Sequence, residues 1–360
     1  MPNEPTPAHG VMEGKGSYNE HAKVPVSGAA LALPLLENAV SKIALESSDL
    51  PLVIADYGSS QGKNSLGAMR LAITTFRKRA TQNRSIFVFH VDQASNDFNT
   101  LFGVLHADPE RYTLDDPDVF PAAIGRSFYE NVLPPSSVHF GWCSYAAVWL
   151  SRIPALVPGH FMPFRSSGTI RSKFERQALQ DWQMFLALRA RELRPGGRLV
   201  VVLPGRADDG SSGFEHLMDQ ANEVLTDMVT AGAITDEERA RMVLQAYPRR
   251  KSELMAPFAD EGRFQDLVVE RFEVSAVPDP AWNDYEQDRN KEALAKKQSL
   301  FFRSVFMPSL AAALDHVRAG DAEAVRIFGD RLQIGLTSRL ESQPKAMHSL
   351  VQTIVLAKLS

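Results

Sequence analysis

The chain is poor in the residues that would make several functions easy to recognise. One cysteine, Cys143, stands among 360 residues. No intramolecular disulfide can form, and no cysteine cluster is available to hold a metal. No charge of either sign dominates, since 39 basic residues face 43 acidic ones for a net charge of −4. General attraction to nucleic acid or to a membrane surface is therefore not expected. The basic triplet Arg249-Arg250-Lys251 stands alone and reads as a solvated turn. No apolar run is long enough to span a bilayer, and no charged-then-apolar leader opens the sequence. The expected location is the cytoplasm. No internal repeat is present. What remains is an ordinary hydrophobic content of 44%, enough for a full core.

The most informative segment is Leu52-Val53-Ile54-Ala55-Asp56-Tyr57-Gly58-Ser59-Ser60-Gln61-Gly62-Lys63-Asn64. An apolar run ends in an acid, turns through two glycines and opens a helix. Doubly wound α/β proteins place their ligands at such loops, outside the carboxyl ends of the strands. Three loop types come close. A P-loop needs four residues between its glycines and a hydroxyl after the lysine; here three residues separate Gly58 from Gly62, and Asn64 takes the hydroxyl position. The dinucleotide fingerprint needs three glycines, where this chain offers Gly58, Ser60 and Lys63. A loop for S-adenosylmethionine carries no phosphate and tolerates the Ser/Gln turn, so that reading leads. A second strand, Ser85 to Asp92, also ends in an acid, and one carboxylate there matches the two adjacent hydroxyl donors of a ribose. The alternative for Asp92 is a turn or helix-cap role.

Strand and helix patterns alternate from Leu52 onward, through Val119–Gly125, Val138–Ser144, a long helix from Phe174 to Leu193, and the β-branched Arg198–Leu203. This alternation predicts an α/β fold with a doubly wound, mostly parallel sheet. Residues 28–46 have helical spacing. Residues 1–16, rich in Pro, Gly and Glu, are expected to form a disordered tail. Residues 17–154, 173–212 and 256–285 are expected to form the core, and 155–172, 213–255 and 286–360 a helical cap. Inside these segments His139 reads as a hydrogen-bonded core histidine rather than a catalyst. Cys143 reads as a small buried hydrophobe, and Phe301 and Phe302 as core.

Several motifs, taken in order, resemble one family. Asp56 to Asn64 is similar to the D-L-G-C-S-S-G-x-N loop of the SABATH methyltransferases. Asn96-Asp97-Phe98-Asn99-Thr100-Leu101-Phe102 resembles their N-D-F-N-x-x-F, and Gly125-Arg126-Ser127-Phe128-Tyr129 their G-S-F-Y with one residue inserted. Ser144 to Pro154 follows S-Y-S-L-x-W-L-S-x-V-P, and Ser17-Tyr18 and Phe302-Arg303-Ser304-Val305 match at the ends. The resemblance implies a Rossmann-like methyltransferase core that uses S-adenosylmethionine, releases S-adenosylhomocysteine, and forms a homodimer. It implies that Asp56, Gly58, Ser59 and Asn64 hold the methionine end, that Asp92 and Gln93 hold the ribose and flank the adenine, and that Ser127 and Phe128 lie along the adenine. The resemblance also implies that Tyr18 and Ser144 close over the methionine part. Trp149 would donate its indole N–H to a substrate carboxylate, with Tyr145 and Val148 lining the same pocket. Trp149 and Tyr145, four apart, also read as one face of a core helix.

The chain departs from the family at three places. Pro25, within Ala22-Lys23-Val24-Pro25, replaces a glutamine that helps bind the carboxylate, and Lys23 is the nearest cation. Val148 stands where Met, His or Gln is common. The optional Mg²⁺ asparagine falls near Met242–Gln245 and is not retained, so no metal is expected. The expected function is methyl transfer to the carboxylate of a small organic acid, a reaction that needs no base because the acid is already ionised at neutral pH. N-methylation, or O-methylation of a phenol, is the alternative and would need a proton acceptor. A dinucleotide oxidoreductase and a silent cofactor-binding subunit are the rivals from other classes.

Overall fold

The computed structural model describes residues 12–14, 16–46, 50–79, 84–318 and 320–359. Its frame is a sheet buried on both faces. In β1 (Leu52–Tyr57), Leu52 and Ile54 enter one core cluster while Ala55 and Tyr57 enter the other. Alternate residues of a strand face opposite sides, so a strand covered on both reads as one apolar run. β2 (Ile86–Asp92), β4 (Val138–Ser144) and β5 (Leu193–Arg206) repeat this, β3 (Val119–Gly125) is a mostly half-buried edge strand, and the five strands are parallel.

Three helices precede β1: α1 (Ser17–His21), α2 (Lys23–Leu31) and α3 (Leu33–Ser41). The helical stretch thus begins before residue 28 and stops at 41. α4 (Leu66–Arg79) joins β1 to β2, and α5 (Phe98–Ala107) joins β2 to β3. Asp97 caps α5 by accepting the Thr100 N–H at 3.0 Å. α6 (Gly168–Glu192) runs straight into β5. After β5 come α7 (Glu215–Thr230), α8 (Asp236–Arg241), the short β6 (Arg249–Arg250), α9 (Lys251–Met255), and the hairpin of β7 (Arg263–Phe264) and β8 (Leu267–Ala276). α10 (Pro280–Asp288), α11 (Lys291–Val305), α12 (Met307–Ala311), α13 (Asp315–Arg318) and α14 (Ala322–Ser342) follow, and β9 (Leu350–Lys358) ends the fold. α14 packs on α7, α11 and α12 as a helical layer.

The strand order is β3-β2-β1-β4-β5-β9-β8-β7, with β6 beside β5. The chain moves outward from β1 to β3 and then returns to the other side of β1 as β4. That reversal opens a crevice at the carboxyl ends of β1 and β4.

Two boundary expectations change. Residues 350–358 are not cap but β9, antiparallel between β5 and β8 in the sheet. The segment Val351-Gln352-Thr353-Ile354-Val355-Leu356 is β-branched and apolar, which suits a covered strand. In the tail, residues 1–11 and 15 lie outside the described residues. Met12–Gly14 are packed rather than disordered, since the Glu13 N–H donates to Ser304 O at 3.0 Å.

Ile354 is fully buried in β9. We expect Ile354→Ala to destabilise the protein by about 2–5 kcal/mol in denaturant unfolding. A loss within roughly 0.5 kcal/mol, as for a peripheral surface site, would contradict the central place of this strand.

Candidate active site

The loop after β1 is shaped by two left-handed glycines, Gly58 (φ 83°) and Gly62 (φ 84°), with Ser60 (φ 48°) between them. Gly58 and Ser59 donate their N–H groups to Val91 O at 2.7 and 3.2 Å, which ties the loop to β2. A Cβ on Gly58 would lie 2.0 Å from Cβ of Ala146, so the loop touches the turn after β4 at a residue without a side chain. Asp92, at the tip of β2, accepts the Ser60 N–H at 2.7 Å and the Gln93 N–H at 2.8 Å. Burial pushes its carboxyl up to about 6, against the pull of those two donors.

The turn after β4 is not a helix, contrary to the spacing of Tyr145 and Trp149. Tyr145 is left-handed (φ 57°), and Trp149 forms an antiparallel bridge with Ala246. Bonds from three other elements help to hold this turn. Tyr145 N–H donates to Val202 O at 2.8 Å, the Tyr129 hydroxyl donates to Trp149 O at 2.7 Å, and Arg249 Nη1 donates to Ala147 O at 2.7 Å. Arg249 is therefore buried, not solvated, and its Nη2 also donates to Ala178 O at 2.8 Å. A cationic triplet gave no sequence sign of this role.

Two cavities meet here. The larger, about 290 Å³, is lined by Tyr18, Gly58, Asp92, Gln93, Phe128, Ser144, Tyr145 and Trp149 from the expected set. It is also lined by Met12, Gly14, Ser60, Gln61, Ser95, Asn96, Asp97 and Ala146, which the sequence reading did not assign to a site. The smaller lies under α7 and α11 and is lined by Val148, Pro25, Met162, Met218, Phe301 and Phe306 among others. Met12, Tyr18, Tyr145 and Trp149 line both. The tyrosine hydroxyls at this junction stay protonated, because burial pushes Tyr18 up to about 12 and Tyr145 further.

Four of the expected cofactor residues do not line the larger cavity. Asp56 lies beneath the loop, 2.9 Å from Nδ1 of His90, whose Nε2 is 2.8 Å from the Tyr112 hydroxyl. Ser127 Oγ accepts the Tyr129 N–H at 3.2 Å. Ser59 and Asn64 sit in the loop itself. Ser59 Oγ, Gln61 Oε1 and Asn64 Nδ2 are buried and have no hydrogen-bond partner. Buried polar atoms are normally paired, so three orphans in one loop point to a polar group that belongs there.

The Phe128 wall rests on a buried ion pair. Arg189 Nη2 is 3.0 Å from Glu192 Oε1, and Nη1 donates to Phe128 O at 2.8 Å. Tyr57 donates to Glu192 Oε2 at 2.8 Å under the same guanidinium. At the near side, Glu13 accepts from Ser17 Oγ at 2.5 Å and from Arg303 Nε at 3.0 Å. The Gln61 side chain donates to Glu13 O at 2.9 Å. The two matched ends of the sequence thus meet over the cavity.

His139 lies at the start of β4, away from the end that carries Ser144. Its Nδ1 accepts the Val53 N–H at 3.1 Å, and burial beside Arg194 lowers its pKa to about 3. Cys143 is buried, and burial pushes its thiol up to about 12. Phe301 and Phe302 are both buried. Lys23 is exposed and lines a separate groove with Glu20 and Asp284, so it does not replace the missing glutamine.

The Gly58 contact makes a specific prediction. Gly58→Ala combines a strained left-handed alanine with the Ala146 clash. It is expected to weaken ligand binding in the larger cavity by at least roughly tenfold, about 1.4 kcal/mol. Calorimetric titration with S-adenosylmethionine checks this, and wild-type affinity in the variant would show that the loop has room to spare.

Comparison with known proteins agrees with this geometry. The profile of the SAM dependent carboxyl methyltransferase family matches residues 8–356. The chain is 31% identical over 256 residues to a "probable S-adenosylmethionine-dependent methyltransferase" of Arabidopsis thaliana, covering 64% of this chain and 68% of that protein. It is 28% identical over 281 residues to salicylate carboxymethyltransferase of Clarkia breweri, covering 73% and 75%. Its fold matches that of loganic acid methyltransferase, solved with SAH, at a TM-score of 0.74 and 24% identity over 97% of this chain and 99% of that one. The chain belongs to the family of S-adenosylmethionine-dependent carboxyl methyltransferases.

Proposed function

We propose that this enzyme methylates the carboxylate oxygen of a small organic acid in the smaller cavity, with S-adenosylmethionine in the larger. One observation carries the acceptor assignment. The smaller cavity presents O–H and N–H donors at its mouth, from Tyr18, Tyr145 and Trp149, but no Asp, Glu, His or Lys side chain among the described residues. A phenol or a ring N–H would need a base to take its proton. A carboxylate needs only donors, because its ordinary pKa is near 4.

The lining of the larger cavity suits S-adenosylmethionine in its chemistry. Asp92 would take the ribose hydroxyls, and Phe128 and Gln93 would flank the adenine. The orphaned Ser59, Gln61 and Asn64 atoms, with Ser144 and Tyr18, would serve the methionine end. Asp56 would act from below, by holding the loop through His90. When bound, S-adenosylmethionine would supply a sulfonium methyl for the acceptor oxygen, the S–C bond giving its electron pair to sulfur. The protein's part is to hold the acceptor oxygen at the junction of the cavities, a proximity effect that needs no proton transfer. Tyr18, Tyr145 and Trp149 place aromatic rings at that junction, where a cation is favoured over a neutral group. The Trp149 indole N–H and the Tyr145 hydroxyl would hold the carboxylate. The homodimer implied by the family resemblance is part of this proposal, and light scattering of the purified protein tests it.

The titration of Asp92 predicts a pH dependence. A carboxylate accepts two hydroxyl donors, and a protonated carboxyl accepts them poorly. S-adenosylmethionine affinity is therefore expected to be full well above about 6 and to fall as the pH drops through that value. Asp92→Asn should bind roughly tenfold more weakly at pH 8 and lose the pH dependence. A wild-type profile in Asp92→Asn, measured by calorimetry from pH 5 to 8, would remove Asp92 from the ribose site. NAD and ATP serve as controls and should not bind.

Trp149→Phe keeps the ring and deletes the N–H. It should raise the acceptor KM or lower kcat by about 10- to 100-fold, the range for one lost hydrogen bond to a charged group, with cofactor affinity unchanged. Equal loss of cofactor affinity would assign Trp149 to packing instead.

A further inference from the structure

We infer that the acceptor is a monocarboxylic acid with a hydrocarbon body, free of any hydroxyl, amide or second charge. This rests on the carboxyl-methylation reading above and narrows it to a substrate class. The polar atoms of the smaller cavity are unevenly placed. Tyr18, Tyr145 and Trp149 stand on the wall shared with the larger cavity, where the carboxylate must lie. Beyond them the lining is apolar, and no charged residue is among its members. Ser212 is the one other hydroxyl, and it is already committed, donating to Glu215 Oε1 at 2.8 Å and lying 3.4 Å from the Phe214 N–H.

Three positions of the lining offer neither a polar side chain nor an N–H. Pro25, Pro204 and Pro248 all line this cavity and have no backbone N–H. Pro25 also stands where the family resemblance places a glutamine. A hydroxyl or amide on the acceptor therefore meets no uncommitted polar side chain beyond the shared wall, whereas each added methylene gains from burial.

The cavity is also small, about 60 Å³, against roughly 150 Å³ for an apolar cavity that takes benzene. The acceptor must displace side chains to enter. Met12, Met162 and Met218 line it, and unbranched thioether chains re-pack most readily. A hydrocarbon body suits walls that move, because it requires no fixed hydrogen-bond geometry.

The test uses acid pairs matched in shape: 4-methylbenzoate against 4-hydroxybenzoate, and heptanoate against 6-hydroxyhexanoate. Methyl transfer from S-adenosylmethionine to each is followed by chromatography of the ester. The hydrocarbon member is expected to exceed its hydroxylated partner by about a hundredfold in kcat/KM, the discrimination an apolar pocket exerts against an added hydroxyl. Met162→Gln, which sets an amide in the apolar wall, is expected to narrow that ratio. Equal rates within the pairs, or preference for the hydroxylated acid, would overturn the inference and leave carboxyl methylation standing. Failure to esterify any of the four while S-adenosylmethionine still binds would overturn the carboxyl reading itself and this inference with it. So would methylation of 4-hydroxybenzoate at its phenol.

Discussion

The site depends on one contact, the approach of the Gly58 backbone to the Ala146 side chain. A Cβ at position 58 would lie 2.0 Å from that methyl group, so the loop after β1 and the turn after β4 meet with no atom to spare. Because they meet, Ser144, Tyr145 and Trp149 come to border the same cavity as the glycine loop and the tip of β2. Because Tyr145 and Trp149 then face both ways, the larger and smaller cavities share a wall. Gly28 repeats the device on the other side, where a Cβ would lie 2.0 Å from the Tyr145 hydroxyl. The phenol is thus fixed between α2 and the turn.

Buried charge holds these walls in place. Removing one partner from a buried ion pair leaves a charge without compensation, so such pairs persist only with many hydrogen bonds. Arg189 and Glu192 meet that condition. Their bonds run to Phe128 O, to the Val132 and Leu133 N–H groups and to the Tyr57 hydroxyl, which links α6 to the Phe128 wall and to β1. Arg249 does the same for the Trp149 turn by binding two carbonyls. These two buried charge clusters lie behind the cavities, and among the described residues the smaller cavity is lined by no charged side chain. That division suits an anionic acceptor that attacks without a base.

Sequence and structure agree where local chemistry decides the outcome. The β1 run, the left-handed glycines and the acid closing β2 are local, and the strand order places them together as α/β rules require. Tertiary contacts decided the rest. Tyr145 and Trp149 have helical spacing, yet a backbone bond to Val202 and a bridge to Ala246 hold them in a turn. Arg249 looked solvated because its partners, the carbonyls of Ala147 and Ala178, are 102 and 71 residues away. The apolar, β-branched run in β9 is strand-like, but it follows a long helical region, and its antiparallel insertion beside β5 breaks the parallel pattern. Met12 and Gly14 line the larger cavity only because Glu13 reaches Arg303, 290 residues on.

The central claim is that a methyl crosses from the larger cavity to a carboxylate in the smaller one. The most direct measurement supplies S-adenosylmethionine with a deuterated methyl group and a hydrocarbon acid, then locates the label by mass spectrometry before and after mild saponification. A methyl ester carries the label in the product and returns it to solution as methanol on saponification, which is the expected result. Label that survives saponification on an aryl oxygen or a nitrogen would contradict it. So would bound cofactor with no transfer to any acid.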